Sequence, residues 1–110
     1  MIDPTTNQLT DRAREIFSEW FDLYSTNEGV MTPQSTALFI KGATHETVSA
    51  EDGRIKGLFS GYDQNKDGKL EREEFLQFYT EAARDKVDRV YDNLKNHFIR
   101  TDLVKLSDVV

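Results

Sequence analysis

The chain has 110 residues, a length typical of one domain, and its 37% hydrophobic content is enough to build a buried core. Its 20 acidic and 14 basic residues give a formal net charge of -6, which argues against nucleic acid as a partner because phosphate binding needs a basic surface. The sequence contains no cysteine, which excludes disulfides, thiolate metal sites and cysteine nucleophiles and is typical of an intracellular, cytoplasmic protein.

The chain is predicted to begin with a leader and an amphipathic helix. Residues 1–10 show no apolar periodicity, so we expect a flexible leader there. From Asp11 to Tyr24, apolar residues recur every three or four positions, which predicts a helix with one buried face. Thr10 is the candidate N-cap of this helix, because a side-chain oxygen at that position accepts a hydrogen bond from the first turn.

Two further helices are predicted in the middle of the chain. Thr32 followed by Pro33 is a typical helix start, since proline at the first helical position sacrifices no hydrogen bond. We expect Gly42 to end this second helix. After a linker, the pair Ser49 and Asp52 resembles a capping box and predicts the start of the third helix.

Helical spacing continues to the C-terminal part of the chain. A fourth helix is predicted to end near Arg84, and residues 85–110 form a helical extension. We predict that residues 86–98 form a helix that packs on the preceding domain, because its apolar stripe needs a partner surface. The stripe consists of Val87, Val90, Tyr91, Leu94 and Phe98.

The sequence contains an internal repeat. Phe21 corresponds to Phe59 at an offset of 38 residues, whereas Met31 corresponds to Leu70 at an offset of 39 residues. The loop of the first unit is therefore one residue shorter than the loop of the second. The repeat predicts two helix–loop–helix units side by side, with the backbone of Leu70 available to pair with the first loop.

The segment from Asp63 to Glu74 carries the strongest chemical signal. It reads Asp-Gln-Asn-Lys-Asp-Gly-Lys-Leu-Glu-Arg-Glu-Glu and matches the calcium loop of the EF-hand family at each diagnostic position. Residues 11–84 therefore resemble a paired EF-hand domain of the calmodulin superfamily. The resemblance implies an all-α fold with two back-to-back loops and a hydrophobic cleft between helices, here followed by the additional C-terminal helix.

The resemblance to EF-hands also implies a ligand set. Ca²⁺ takes about six to eight oxygen ligands, which carboxylates and a carbonyl group at alternate loop positions can supply. Gly68 permits the sharp turn of the loop because glycine tolerates positive φ. Glu74 is expected to give both carboxylate oxygens, whereas Glu71 ligates directly or through water. The expected ligands are Asp63, Asn65, Asp67, the carbonyl group of Lys69, Glu71 and Glu74.

The first loop lacks most of these ligands. Ser25 stands at the position of the first carboxylate, and Ser35 stands at that of the bidentate glutamate. Between these two positions, only Asn27 and Glu28 are candidates to supply side-chain oxygens as ligands. We therefore expect this loop to bind no ion and to serve as the structural partner that completes the pair.

We find no catalytic constellation and expect no enzymatic activity. His45 and His97 are predicted to lie on the surface or in linkers. The predicted function is that of a calcium-binding regulatory or protein-interaction module, with Mg²⁺ as an alternative occupant at rest. The alternative is a constitutive structural module in which the ion only stabilises the fold. The expected partner is a protein or a neighbouring domain, with no nucleic acid and no membrane-spanning segment.

A second resemblance concerns the context of the chain. Residues 21–44 and 93–106 are similar to EF-hand segments embedded in large ubiquitin-specific proteases. This resemblance implies a non-catalytic module of a deubiquitinase, since the chain contains no cysteine nucleophile. The apolar residues Val109 and Val110 also suggest a segment cut from a longer protein.

Overall fold

The computed structural model describes residues 1–63, 66–97, 99–100 and 103. Within these residues the fold is all-α, as predicted, with five helices and no strand. The helices are α1 (Asp11–Tyr24), α2 (Pro33–Thr44), α3 (Gly53–Tyr62), α4 (Arg72–Asp85) and α5 (Val87–Asn96).

The first two helices begin at the predicted residues. The Thr10 hydroxyl group accepts a hydrogen bond of 3.3 Å from the Ala13 amide and caps α1. At α2, the Thr32 amide donates to Ser35 Oγ at 2.8 Å, and the Ser35 amide donates back to Thr32 Oγ1 at 3.2 Å. This reciprocal pair satisfies two backbone donors that the helix itself leaves unpaired.

The predicted end of α2 is wrong. The helix continues through Gly42 to Thr44, and His45 closes it in a left-handed conformation with φ of 62°. A Cβ atom at residue 42 would lie 2.1 Å from Tyr24 Oη, a distance that no real structure allows. Gly42 therefore makes room for the Tyr24 hydroxyl group of α1 and does not terminate the helix.

The predicted start of α3 is also wrong. The helix begins at Gly53, and Asp52 is its N-cap, whose Oδ1 accepts a hydrogen bond of 2.9 Å from the Arg54 amide. Ser49 contributes a backbone carbonyl group to the preceding turn, which accepts a hydrogen bond from the Asp52 amide at 3.0 Å. Asp52, which the predicted capping box placed in the first turn of the helix, is thus the N-cap itself.

The first four helices form a closed ring, in which α1 contacts α2, α2 contacts α3, α3 contacts α4, and α4 contacts α1. Aromatic side chains fill the centre of this ring. The rings of Phe17 and Tyr79 stack with their centroids 4.3 Å apart, and Trp20 meets Tyr79 edge-on at 5.5 Å. Such pairs add to the stabilisation from apolar burial, and they join α1 to α4.

The C-terminal helix packs on this ring through α2 and α4. Val90 and Leu94 are buried, as predicted. The Asn93 side-chain amide donates a hydrogen bond of 3.0 Å to the Tyr79 hydroxyl group, and the Asn96 side-chain amide donates to the Ala43 carbonyl group at 2.6 Å. Phe98, the last member of the predicted stripe, lies outside the described residues.

The N-terminal segment folds back on itself. The Asp3 amide donates to the Gln8 carbonyl group, and the Thr10 amide donates to the Met1 carbonyl group, both at 2.8 Å. Met1 and Leu9 pack against the core. Nothing in the sequence predicted this arrangement of residues 1–10.

Candidate metal centre

Asp63, the first residue of the loop between α3 and α4, forms hydrogen bonds both to α3 and to the turn of the loop. The Asp63 amide ends α3 by donating to the Phe59 carbonyl group at 3.0 Å. The Asp63 side chain then turns inward, and its Oδ2 accepts a hydrogen bond of 2.9 Å from the Gly68 amide. Gly68 has φ of 76°, and no neighbouring atom lies within 4 Å of the position that a Cβ would take. Glycine is therefore needed for the backbone conformation and not for space.

The other carboxylate oxygen of Asp63, Oδ1, has no hydrogen-bond donor among the described residues. The residue is only 6% exposed, and among the described residues no donor reaches its buried Oδ1. A buried acceptor without a hydrogen bond costs about 1–3 kcal/mol, and more when it is charged. A cation supplies the contact that this oxygen lacks. The chemistry of Asp63 therefore fits a metal ion at the head of the loop.

The far end of the loop places a second carboxylate against the start of α4. Glu74 lies in the first turn of α4 and is 9% exposed. Its Oε1 accepts a hydrogen bond of 2.8 Å from the Glu71 amide, which holds the carboxylate over the helix N-terminus. Glu71 itself is exposed. The carboxylate of Glu74 is thus held in place by α4, whereas the side chain of Glu71 is exposed to solvent.

Two further predicted ligands lie on the exposed side of the loop. Asp67 Oδ1 accepts a hydrogen bond of 2.9 Å from the Lys69 amide. The Lys69 side chain extends away from the loop and forms an ion pair with Glu28 of the first loop, with 3.2 Å between Nζ and Oε2. The positive charge of Lys69 is therefore directed to the neighbouring loop and not into the predicted site.

The structure does not bring the whole predicted ligand set together. Asn65 lies outside the described residues. Across the part of the chain that the structure describes, no three histidine, aspartate or glutamate side chains are grouped closely enough to hold one ion. Within the loop, hydrogen bonds join Asp63 to Gly68, Asp67 to Lys69, and Glu71 to Glu74. The coordination of a single ion by all six residues stays a prediction.

The first loop is closed by its own backbone. The Thr26 amide donates to the Val30 carbonyl group at 2.8 Å, and the Gly29 amide donates to the Thr26 carbonyl group at 2.9 Å. Gly29 has φ of 75°, close to the value for Gly68 in the second loop. Ser35 is engaged in capping α2, the same task that Glu74 performs for α4. These bonds hold the loop in shape without a ligand.

The two loops are joined through their backbones. Met31 and Leu70 form an antiparallel bridge in which each amide donates to the other residue's carbonyl group at 2.8 Å. Both side chains are completely buried. The predicted pairing of Leu70 with the first loop is confirmed, and it couples the position of one loop to that of the other.

His97 is a residue that the sequence interpretation placed wrongly. It is half-buried, and its imidazole ring stacks on the Trp20 indole with 4.3 Å between centroids. Its Nε2 lies 3.0 Å from Tyr24 Oη. Burial lowers the pKa of His97. The spacing of the sequence did indicate this burial, because His97 follows Leu94 by three residues and so continues the apolar stripe of α5.

Comparisons with protein-family models, with curated proteins and with solved structures found no match to this chain. The interpretation of the loop therefore depends on its own residues and their geometry. Among the described residues, no helix is both long enough and apolar enough to cross a lipid bilayer.

Proposed function

We propose that residues 11–84 are a paired EF-hand module that binds one calcium ion in the loop from Asp63 to Glu74. The observation that supports this most is the buried Asp63 Oδ1, for which the described residues provide no donor. The left-handed turn at Gly68 and the bridge between the loops agree with the proposal. Asp63, Asn65, Asp67, the Lys69 carbonyl group, Glu71 and Glu74 would hold the ion.

The negative charges of the loop explain what a bound cation would do. Asp63 and Glu74 are both largely buried, and like charges in a site of reduced polarity repel one another. A divalent cation neutralises this repulsion. Because Asp63 ends α3 and Glu74 lies in the first turn of α4, a cation that contacts both would fix the angle between the two helices.

The regulatory form of this proposal is that the ion controls a protein contact by changing that angle. One observation favours the structural alternative. The apolar surface at the side of α2 and α4 is already covered by α5, where Val90 and Leu94 are buried. A calcium-driven exposure of that surface would require α5 to move. If α5 stays in place when the ion binds, the ion only stabilises the fold.

Calorimetric titration of the metal-free chain with Ca²⁺, in excess Mg²⁺, tests the binding proposal. We expect one ion per chain. Asp63→Asn should abolish the binding heat, whereas Ser25→Ala, at the equivalent position of the first loop, should leave it unchanged. Two comparable sites, or binding that survives Asp63→Asn, would contradict the proposal.

A fluorescent hydrophobic dye separates the two roles. If saturation with Ca²⁺ raises dye fluorescence, the ion exposes apolar surface and the module is regulatory. If the calorimeter shows bound Ca²⁺ while dye fluorescence stays constant, the ion is structural. The measurement is made on the full chain, so that α5 is present in both states.

The partner is proposed to be a protein or a neighbouring domain, in an intracellular setting. The resemblance of residues 21–44 and 93–106 to EF-hand segments of ubiquitin-specific proteases suggests such a protease as the surrounding protein. The contribution of this chain would then be non-catalytic. Release of a reporter from a ubiquitin conjugate by this chain alone would contradict that role.

A further inference from the structure

His97 lies between its own helix and α1. It follows the last residue of α5, and its ring stacks on Trp20 with an interplanar angle of 25°. Its Nδ1 lies 2.9 Å from the Asn93 carbonyl oxygen, one turn back along α5. Its Nε2 lies 3.0 Å from the Tyr24 hydroxyl group on α1. Both ring nitrogens therefore have a hydrogen-bond partner.

These partners define the protonation state of the imidazole. The Asn93 carbonyl group can only accept a hydrogen bond, so Nδ1 carries the hydrogen. Nε2 then offers a lone pair and accepts the hydrogen of the Tyr24 hydroxyl group. Burial raises the pKa of Tyr24, which keeps this phenol protonated and able to donate. The neutral imidazole is thus satisfied at both nitrogens.

A second proton on the ring would change this arrangement. It would attach to Nε2 and make that nitrogen a donor, so that the Tyr24 hydroxyl group would have to accept the hydrogen bond and direct its own hydrogen elsewhere. The phenol has little space in which to adjust, since its oxygen lies against Gly42 of α2. Two residues near the C-terminal end of α2, Lys41 and His45, line the same groove as Tyr24. Burial lowers the pKa of His97, and of these two residues His45 contributes electrostatic repulsion that lowers it further.

The direction of the pH effect follows from these contacts. Burial, and to a lesser degree the His45 charge, lowers the pKa of His97 below its ordinary 6.5, against the Asn93 carbonyl group, which raises it. The folded state therefore binds fewer protons than the unfolded state just below pH 6.5, and stability increases with pH in that window. The stabilisation is complete above about pH 6.5 and is lost as the pH falls towards the folded-state pKa.

We propose that His97 is an acid-sensitive latch for the C-terminal helix, in which proton uptake at Nε2 puts a positive charge into the buried stack with Trp20, reverses the hydrogen bond with Tyr24 and weakens the hold of α1 and α2 on the end of α5. Contacts near this end that do not involve His97 are the hydrogen bond from Asn96 to the Ala43 carbonyl group and the buried side chains of Ile99 and Leu103. Release uncovers the Trp20 ring and the neighbouring face of α2. This switch is independent of the proposed calcium site, because none of the groups involved belongs to the loop of residues 63–74.

Trp20 provides a direct probe of the latch. It is the only tryptophan of the chain, and it stacks on the imidazole, so that protonation of the ring should quench its fluorescence. The fluorescence of the full chain is followed from about pH 8 to about pH 5 in metal-free buffer, a range in which histidine titrates and exposed carboxylates stay ionised. We expect quenching with a midpoint below that of a free histidine. Unchanged fluorescence would overturn the proposal.

Hydrogen exchange reports whether α5 is released. The protection factors of the amides of residues 90–96 are measured above and below the fluorescence midpoint, with correction for the intrinsic pH dependence of exchange. We expect them to fall by about tenfold for each unit by which folding lowers the pKa of His97. Amides of α3, which does not contact His97, should keep their protection. Quenching without any loss of protection in α5 would contradict a latch.

Two substitutions at His97 and one control test whether the acid transition belongs to this residue. His97→Phe keeps an aromatic ring on Trp20 but cannot titrate, and His97→Gln keeps hydrogen-bonding groups if the phenylalanine variant fails to fold. Either variant should lose the acid transition. His45→Gln, which removes the other histidine of the chain, should keep it. A transition that persists in the His97 variants, or that disappears in His45→Gln, would overturn the assignment.

Discussion

The hydroxyl oxygen of Tyr24 lies where the side chain of residue 42 would begin, 2.1 Å from the position of a Cβ atom. The contact joins the end of α1 to the last turns of α2, and the same hydroxyl group binds His97. A glycine that the sequence marks as a helix end therefore makes room for the hydroxyl group of a side chain from another helix.

Gly42→Ala is expected to destabilise the fold. Alanine favours a helix interior over glycine by roughly 1 kcal/mol, but the displaced Tyr24 ring would incur an overpacking cost of about 1–3 kcal/mol. We expect the free energy of unfolding in urea to fall by about 1 kcal/mol on balance. Gly57→Ala in α3 is the matched control, because nothing lies within 4 Å of its Cβ position, and it should stabilise the fold. Equal effects of both substitutions would show that Tyr24 adapts freely.

Glu74→Gln should impair calcium binding far more than Glu71→Gln. Glu74 is held by α4 and largely buried, whereas Glu71 is exposed. Loss of a direct, bidentate ligand should exceed the 10–100-fold effect typical of outer-shell positions, so we expect a loss of at least about 100-fold for Glu74→Gln. For Glu71→Gln we expect less than about tenfold. Calorimetry on both variants measures the difference, and similar losses would mean that the ligand assignment is wrong.

Gly68→Ala and Gly29→Ala form a second matched pair. Both glycines have positive φ, 76° and 75°, with open space at the Cβ position, so each substitution should lower the free energy of unfolding by about 1–2 kcal/mol through backbone strain. Calcium affinity should fall only for Gly68→Ala, because only that loop carries the predicted ligands. Calcium titration of both variants checks this. An equal loss of affinity in Gly29→Ala would contradict the assignment of the ion to the second loop.

Leu94→Ala tests the contribution of α5. Leu94 is fully buried against the ring of helices, and truncation of such a side chain typically costs about 2–5 kcal/mol. Lys95→Ala, at the next and exposed position, should change the free energy of unfolding by less than about 0.5 kcal/mol. Urea denaturation of the two variants provides the comparison. If Leu94→Ala is as mild as Lys95→Ala, α5 does not form part of the cooperative fold.

Much of the helical architecture was predictable from local pattern. The bounds of α1 follow from the apolar spacing between Asp11 and Tyr24 and from the cap at Thr10, because both signals act within a few residues. The pairing of Met31 with Leu70 was indicated by the repeat, since equivalent positions of two similar units meet when the units lie side by side. The calcium site in residues 63–74 was inferred from ligand spacing alone and stays a prediction.

Positions that depend on contacts between distant helices were interpreted wrongly. Glycine is common at helix ends, and Gly42 was therefore interpreted as one. Only the approach of Tyr24, from a different helix, explains why glycine is needed there. His97 is polar and lies near the end of a helix, features that predict exposure, yet Trp20 covers one face of its ring. The burial of a polar ring is favourable only where partners for both nitrogens are present, and those partners come from residues 93 and 24.

The sequence by itself determined how many helices form and approximately where, and it predicted a calcium site in one loop, because helix periodicity and ligand spacing are short-range properties of the chain. The tertiary structure decided how α5 covers the ring of helices, why Gly42 is a glycine, and that Asp63 buries an oxygen without a donor among the described residues. These features depend on distances between side chains that are far apart in sequence, and packing alone sets those distances.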